Sequence, residues 1–99
     1  MIMKNDDILK ALAHPVRLQI VHWLKNPERY FSDQEHSLEL GVCASMFARC
    51  GLSQSAVSAH LAVLQRAELV TTRRVGQWIY YKRNEGTIAS FLQNMIEEI

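Results

Sequence analysis

The sequence contains few cysteines and no long apolar run. Two cysteines among 99 residues are too few to hold a small secreted domain together by disulfides. No apolar stretch approaches the roughly 20 residues of a membrane-spanning helix, and no charged-then-apolar leader precedes the first predicted helix. We therefore expect a soluble protein without a membrane partner, located in the cytoplasm.

The sequence also lacks the motifs of common enzyme classes. It has no glycine-rich phosphate loop, no metalloprotease helix motif and no nucleophile elbow. A thiol oxidoreductase would carry two cysteines separated by two residues beside a β-α-β unit, whereas six residues separate Cys43 from Cys50. We predict that the protein is not an enzyme and requires no cofactor.

Positive charge is concentrated between residues 53 and 84. This segment contains five basic residues: Arg66, Arg73, Arg74, Lys82 and Arg83. Against them stands only Glu68, so the segment carries five positive charges and one negative charge in a chain whose net charge is +1. Clustered basic residues neutralise phosphates and release counterions, which drives binding to nucleic acids. We expect double-stranded DNA as a partner.

The stretch from Gly51 to Leu61 predicts a tight turn followed by a DNA-recognition helix. Gly51 permits the left-handed backbone of such a corner, and Ser53 is a good N-cap. Three apolar residues recur at helical spacing and would bury one face: Val57, Leu61 and Leu64. Together with Ser53, four polar residues on the opposite face are predicted to contact bases and phosphates: Gln54, Ser55, Ser58 and His60.

Residues 70 to 83 predict a β-hairpin. Two runs rich in β-branched and aromatic residues flank Val75-Gly76-Gln77, a typical hairpin signal. A helix-turn-helix followed by a basic hairpin is a winged helix. The hairpin residues expected to contact DNA are Arg73, Arg74, Gly76 and Gln77. The rings of Trp78, Tyr80 and Tyr81 are expected to pack within the hairpin.

The remaining pattern predicts a mainly α fold with a β-hairpin wing (α+β), in one domain spanning residues 1–99. About five helices are expected, near residues 6–13, 15–25, 42–50, 54–66 and 86–98, with the wing at 69–82. Residues 26 to 41 lack clean periodicity, so this segment could hold a loop with a short strand or a helical turn.

The terminal helices offer more apolar surface than a small core needs. The last helix carries a wide apolar stripe: Ile88, Phe91, Leu92, Met95, Ile96 and Ile99. The first helix adds Ile8, Leu9 and Leu12. The stripe could pack on its own domain, but the surplus favours a homodimer interface. A symmetric dimer would separate two recognition helices by roughly 34 to 36 Å and would bind an inverted-repeat operator.

Three ordered segments of the chain resemble the ArsR/SmtB family of bacterial winged-helix repressors. They are Leu12 to Leu18 (LAHPVRL) with Ile20, Val21 and Leu24, then Leu52 to Leu61 (LSQSAVSAHL), then the wing through Tyr81. The resemblance covers about residues 7 to 84. It implies a dimeric repressor that pairs its terminal helices and leaves DNA when a chemical signal arrives.

The resemblance also shows where a signal could be sensed. Family members that detect thiophilic metals carry Glu-Leu-Cys-Val-Cys at the start of helix three, where residues 39 to 43 are Glu-Leu-Gly-Val-Cys. The first thiolate of that pair is therefore missing. Other members bind zinc through Asp and His on the last helix, and residues 86 to 99 contain neither. Neither known metal site is complete.

The two cysteines leave three alternatives open. On an intact α-helix, seven residues separate Cys43 from Cys50 by about 10 Å along the axis, whereas a disulfide needs Cα atoms within about 7 Å. Redox sensing by this pair would therefore deform the helix and release DNA. Metal or arsenite sensing through Cys43, with His36 as a further ligand, and inert buried thiols are the alternatives. A winged helix that only binds another protein is a different possibility.

Overall fold

The computed structural model describes residues 5–99, except for the side chains of Arg49 and Cys50. The helices are α1 (Asp6–Leu12), α2 (Pro15–Lys25), α3 (Pro27–Tyr30), α4 (Gln54–Arg66) and α5 (Glu85–Glu98), with two 3₁₀ helices, η1 (Leu38–Leu40) and η2 (Ala44–Cys50). The strands are β1 (Val42–Cys43), β2 (Val70–Val75) and β3 (Trp78–Arg83). The mainly α fold with a hairpin wing is thereby confirmed.

The second helix begins where the sequence predicts. Pro15 occupies its first turn, where a missing N–H costs no hydrogen bond. The His14 side chain caps the helix, because its Nδ1 accepts a hydrogen bond from the Val16 N–H at 3.1 Å. Asn26 ends α2, and Pro27 opens the short α3.

The prediction of a helix over residues 42–50 is wrong in its first two residues and in its type. Val42 and Cys43 form a short strand, which pairs with Tyr81 and Tyr80 of β3. A 3₁₀ helix, η2, then replaces the expected α-helix. The strand forms because Val42 and Cys43 pair with β3. This tertiary pairing overrides the local helical propensity, and its partners lie too far along the chain for the local pattern to reveal it.

The three strands form an antiparallel sheet in the order β1-β3-β2. Only Gly76 and Gln77 separate β2 from β3, whose terminal residues Val75 and Trp78 face each other. Gly76 has a φ of 61°, and the backbone of Gln77 is not in the positive-φ region. This pattern is typical of a type II′ turn, which needs glycine at its first central position. The predicted wing is confirmed at residues 70–83.

The core lies between the helices and one face of the sheet. Val57, Leu61 and Leu64 of α4 are completely buried, as their spacing predicts. They belong to a cluster that includes Ile20 of α2 and Phe47 of η2. Burying a large aliphatic side chain contributes on the order of 2 kcal/mol, so this face fixes α4 on the domain. The opposite face of α4 is left for solvent or a ligand.

Helix α4 ends in a Schellman motif that lacks its usual glycine. The Leu69 N–H donates to the Leu64 carbonyl at 3.0 Å, and the Glu68 N–H donates to the Gln65 carbonyl at 3.0 Å. Glu68 has a φ of 61°, in the left-handed region that favours glycine. The turn that leads from the recognition helix into the wing is therefore strained at Glu68.

A single residue, Asn84, joins the wing to the last helix. Its N–H donates to the Leu69 carbonyl at 2.9 Å, and its Oδ1 accepts from the Thr87 N–H at 3.3 Å. The side chain therefore caps α5 while the backbone holds the base of the wing.

The segment predicted as irregular, residues 26–41, holds α3 and η1 within a loop. The side chain of Gln34 ties this loop to the sheet, because its Nε2 donates to the Gly41 carbonyl at 3.1 Å and its Oε1 accepts from the Cys43 N–H at 2.9 Å. Across residues 5–99, no helix has the length and apolar character needed to span a bilayer.

Candidate DNA interface

The corner before α4 has the geometry that its sequence predicts. Gly51 ends η2 with a φ of 81°, in the left-handed region. The Ser53 hydroxyl then accepts a hydrogen bond from the Ala56 N–H at 3.2 Å and lies 3.1 Å from the Ser55 hydroxyl. Ser53 therefore fixes the first turn of α4 and is itself exposed.

The exposed face of α4 carries three of the four polar residues predicted to lie there. Gln54, Ser55 and Ser58 are exposed. Ala59, also exposed, adds no bulk between them, so a groove of DNA could approach the helix closely. These residues form the reading face, defined as Gln54, Ser55 and Ser58.

The prediction that His60 shares this face is wrong. Its ring is half-buried and lies 4.5 Å, centroid to centroid, from the ring of His14. Its Nδ1 lies 3.4 Å from Nη1 of Arg17. Burial lowers the pKa of His60 below its ordinary value, and the neighbouring His14 and Arg17 lower this pKa further. His60 therefore joins α4 to the start of α2.

Sequence reasoning gave no separate role to Arg17, which lies at the centre of this contact. Its Nε donates to the Ala11 carbonyl at 2.6 Å, and its Nη2 donates to the Lys10 carbonyl at 3.2 Å. Both carbonyls lie at the end of α1, where helices leave acceptors unsatisfied. An arginine in the first turn of α2, just after a proline break, was the signal that could have revealed this cap.

The wing places its two central arginines on opposite faces. Arg73 lies opposite Tyr80, and Arg74 lies opposite Ile79. Directly paired residues of antiparallel strands share a face, so Arg74 lies on the face of Ile79. Tyr81, two residues after Ile79 on the same strand, lies on that face too and belongs to the core. Both arginines are exposed.

Arg83 is not free for DNA. Its guanidinium forms two hydrogen bonds to the Glu85 carboxylate, at 3.0 and 2.7 Å, and only 14% of its side chain is exposed. The bidentate pair fixes the start of α5. Of the five basic residues in the 53–84 segment, four remain exposed: Arg66, Arg73, Arg74 and Lys82.

The aromatic residues of the wing divide into a buried and an exposed set. Tyr80 and Tyr81 are buried, as expected for a packed hairpin, and burial raises the pKa of both phenols. Trp78 is largely exposed, contrary to expectation. The ring of His36 lies 6.0 Å from both Trp78 and Tyr80, so the loop before β1 packs against the wing.

Cys43 is a buried thiol in the sheet. It accepts a hydrogen bond from the Ser45 hydroxyl at 3.4 Å and is 5% exposed. The side chain of Cys50 lies outside the described residues. Because η2 is a 3₁₀ helix with a rise of about 2 Å per residue, its length from Ala44 to Cys50 alone is about 12 Å, further than the α-helical estimate for the whole interval. Within the described part of the chain, no three His, Cys, Asp or Glu side chains cluster as metal ligands.

The backbone at Gly41 leaves no room for a side chain at the position where Glu-Leu-Cys-Val-Cys has its first cysteine. Its φ is 109°, and a Cβ placed there would lie 2.7 Å from the Tyr81 carbonyl oxygen and 3.0 Å from Cγ of Lys82. Real Cβ atoms do not approach a backbone oxygen so closely. A side chain at this position would therefore displace β3.

The apolar stripe of α5 is only partly buried. Ile88 and Phe91 pack into the core of the chain. Leu92, Ile96 and Ile99 are 53%, 74% and 99% exposed. Leu9 of α1 is also exposed. Part of the stripe therefore serves the chain's own core, and the rest is open.

Comparisons with known proteins agree with this architecture. Residues 47–72, from η2 into the wing, match the family model described as "Bacterial regulatory protein, arsR family". The chain is 39% identical over 100 residues to the uncharacterized HTH-type transcriptional regulator YbzH of Bacillus subtilis (strain 168). That alignment covers 95% of this chain and 100% of the relative.

Solved structures show the same fold. The structure of HlyU from Vibrio cholerae N16961 matches with a TM-score of 0.65 and 31% identity, over 96% of this chain and 91% of that one. A homodimeric winged helix-turn-helix DNA-binding domain, Mb0332 from Mycobacterium bovis, matches with a TM-score of 0.66 and 25% identity, over 94% and 76% of the two chains. The chain belongs to the ArsR family of winged helix-turn-helix transcriptional regulators, a family of DNA-binding proteins and not of enzymes.

Proposed function

We propose that the protein is a homodimeric repressor that binds an inverted-repeat operator and leaves it in response to a chemical signal. The observation that carries the proposal is the exposed reading face of α4 beside an exposed basic wing. Repression is the expected direction, because a dimer that covers a promoter blocks access to it. The whole chain, residues 1–99, acts as one domain in this proposal.

The DNA contacts divide between two elements. Gln54, Ser55 and Ser58 would meet base edges in the major groove, with Ser53 at the phosphates beside them. The exposed Arg73 and Arg74 would meet the DNA backbone or the minor groove, together with the wing tip, Gly76 and Gln77. The side-chain types support this division, since short polar groups read bases and arginines neutralise phosphates.

A homodimer is supported by the open part of the α5 stripe. Leu92, Ile96 and Ile99 would be covered by the same helix of a second copy, with Leu9 of α1 beside them. The domain of Mb0332 is described as homodimeric, which favours the same assembly here. Two copies related by a two-fold axis would present two reading faces, and an inverted-repeat operator follows from that symmetry.

Fluorescence anisotropy with DNA from the region upstream of the protein's own gene tests the proposal. We expect tight, salt-sensitive binding of one dimer per inverted repeat, and a promoter fusion should lose activity when the protein is expressed. A scrambled DNA of equal length and composition is the control. Equal affinity for both DNAs, or binding by a monomer, would contradict the proposal.

Thiol oxidation is the signal that the position of Cys43 favours. Cys43 pairs with Tyr80, which in turn pairs with Arg73, so one row of the sheet connects the thiol to the wing. Because a disulfide needs Cα atoms within about 7 Å, oxidation of Cys43 with Cys50 would have to unwind η2. It would then pull β1 toward the end of η2 and disturb this row. Metal or arsenite sensing through Cys43 is less well supported, because Gly41 leaves no room for a second thiolate beside it.

Anisotropy before oxidation, after a mild thiol oxidant and after re-reduction tests the thiol signal. We expect reversible loss of binding in the wild type and constant binding in Cys43→Ser and in Cys50→Ser. Titration of the reduced protein with arsenite and with zinc tests the alternative. Binding that withstands the oxidant would mean that neither thiol is a redox sensor.

A further inference from the structure

The contact between His14, Arg17 and His60 joins three helices at one point. Arg17 is held on the end of α1 through the Ala11 and Lys10 carbonyls. His14 caps α2, and His60 belongs to the predicted recognition helix α4. We call these three side chains the histidine joint. The joint therefore connects α4 to both α1 and α2.

Hydrogen bonding defines the protonation state of the His60 ring. Arginine can only donate, so His60 Nδ1 must be the acceptor in its contact with Arg17 at 3.4 Å. His14 Nδ1 likewise accepts from the Val16 N–H. The His60 imidazole is therefore neutral in this contact and carries its proton on Nε2. A second proton on His60 would occupy Nδ1 and turn this acceptor into a donor that faces the Arg17 donor.

Among the described residues, every group that acts on His60 disfavours its charged form. The groups that act on its charge are His14 and Arg17 of α2, and both lower its pKa after the effect of burial. On α1, Asp6 is paired with Lys10 at 3.1 Å, and Asp7 is exposed. The other charged groups on elements packed against α4 are cationic or lie further along their helices: His22 and Lys25 of α2, Arg66 of α4, Arg73 and Arg74 of β2, and Arg49 of η2, whose side chain is outside the described residues.

Protonation of His60 would therefore set its charged ring against the Arg17 guanidinium, 3.4 Å away, in the contact that joins α4 to α2. Arg17 cannot retreat from a charged His60 without leaving the carbonyls of α1, so the strain acts on α4. We propose that the histidine joint is a proton-sensitive coupling between the recognition helix and the α1–α2 pair, so that operator binding weakens as the pH falls below neutrality. The proposal rests on the proposed function, since it concerns the same operator complex.

The direction in which DNA affinity changes with pH distinguishes this proposal from a simple contact between His60 and DNA. If His60 touched a phosphate, its protonation would add a positive charge at the DNA and tighten binding at low pH. The histidine joint predicts the opposite. Its neutral form is favoured in the folded protein, so the contribution of the joint to stability is fully present above a pH of about 6.5 and is lost as the pH falls through the lowered pKa of His60; operator binding should weaken in the same direction.

Anisotropy of the proposed dimer of residues 1–99 on its operator, between pH 7.5 and 5.5 at constant ionic strength, measures the direction of this pH dependence. We expect the wild-type Kd to rise as the pH falls, towards a limit of about tenfold for one pKa unit of difference between the free and the DNA-bound protein. His60→Gln cannot titrate but keeps an acceptor, so its Kd should lose this pH dependence. His22→Gln, in an exposed part of α2, should keep it. Binding that is constant or tighter at pH 5.5, or an unchanged pH dependence in His60→Gln, would overturn the proposal.

NMR titration of the histidine rings in the DNA-free protein separates the proposal from the operator. His60 should titrate below 6.5, and its titration should shift the backbone amide signals of Val16 and Arg17. A His60 that titrates at 6.5 or above, without effect on those amides, would overturn the proposal even where operator binding is normal. If the upstream DNA is not bound at any pH, the proposed function fails and the ring titration still decides the histidine joint.

Discussion

The Arg74 side chain reaches across the wing turn, where its Nε donates a hydrogen bond to the Gly76 carbonyl oxygen 3.1 Å away. The guanidinium is thereby held at the tip of the hairpin, and its other N–H groups take no part in this hydrogen bond. A cation fixed in this way loses less side-chain entropy when it meets a phosphate than a free one would.

Arg74→Ala should weaken binding to specific and non-specific DNA alike. The lost phosphate contact should lower the slope of log K against log salt by about one. Anisotropy at several salt concentrations measures this slope. Arg29→Ala, which removes an exposed arginine of α3 far from the wing in sequence, is the control and should leave the slope as in the wild type. Equal slopes for all three proteins would remove Arg74 from the interface.

Gln54→Ala should instead reduce sequence discrimination. A side-chain amide that reads a base contributes about 1–3 kcal/mol of preference for that base. Binding to operators with single base changes should therefore become more uniform, while affinity for scrambled DNA is retained. Gln65→Ala removes the same side chain near the other end of α4, also exposed, and serves as the control. Loss of discrimination in Gln65→Ala alone would place the reading face at the wrong end of the helix.

Leu92→Glu should dissociate the homodimer. A carboxylate in the centre of an apolar interface lacks a partner and costs several kcal/mol, so we expect the dimer Kd to rise about 100-fold or more. Sedimentation equilibrium measures the change. Leu18→Glu on α2 is the matched control, because Leu18 is 54% exposed and Leu92 is 53% exposed. Dissociation in Leu18→Glu, with Leu92→Glu still dimeric, would move the interface to α2.

Glu68→Gly should stabilise the protein. The left-handed backbone at this residue costs about 1 kcal/mol for a side chain with a Cβ, and glycine removes that cost. We expect the Tm to rise by about 4–8 °C at fixed protein concentration. Glu68→Ala removes the same carboxylate but keeps the Cβ, so it should not reproduce the gain. Equal gains in both variants would assign the effect to charge and not to the backbone.

The features that depend on neighbouring residues were predicted correctly from the sequence. Val57, Leu61 and Leu64 predict α4 because their helical spacing is a property of neighbouring residues, and the Gly76 turn is equally local. The strand at Val42 could not be predicted, since its partner Tyr81 lies 39 positions away. His60 was misplaced for the same reason.

The candidate site shows the same division. The polar pattern of α4 was sufficient to place Gln54, Ser55 and Ser58 on the exposed face. Contacts between distant segments decided the rest. His60 is drawn to His14 and Arg17, neither of which lies on its own helix. Arg83 is an exception, because its partner Glu85 is two residues away and could have been recognised as a competitor for the DNA.

The single residue between the wing and α5 has a consequence for which operators the protein can occupy. Asn84 caps α5 and is hydrogen-bonded to Leu69 at the base of the wing, so the hairpin and the proposed dimer helix would move together as one rigid unit. In a dimer, the two wings could not slide independently to suit half-sites at different distances. The dimer would therefore bind only operators whose half-sites lie at one fixed distance, and this spacing would be selected as strictly as the half-site sequence.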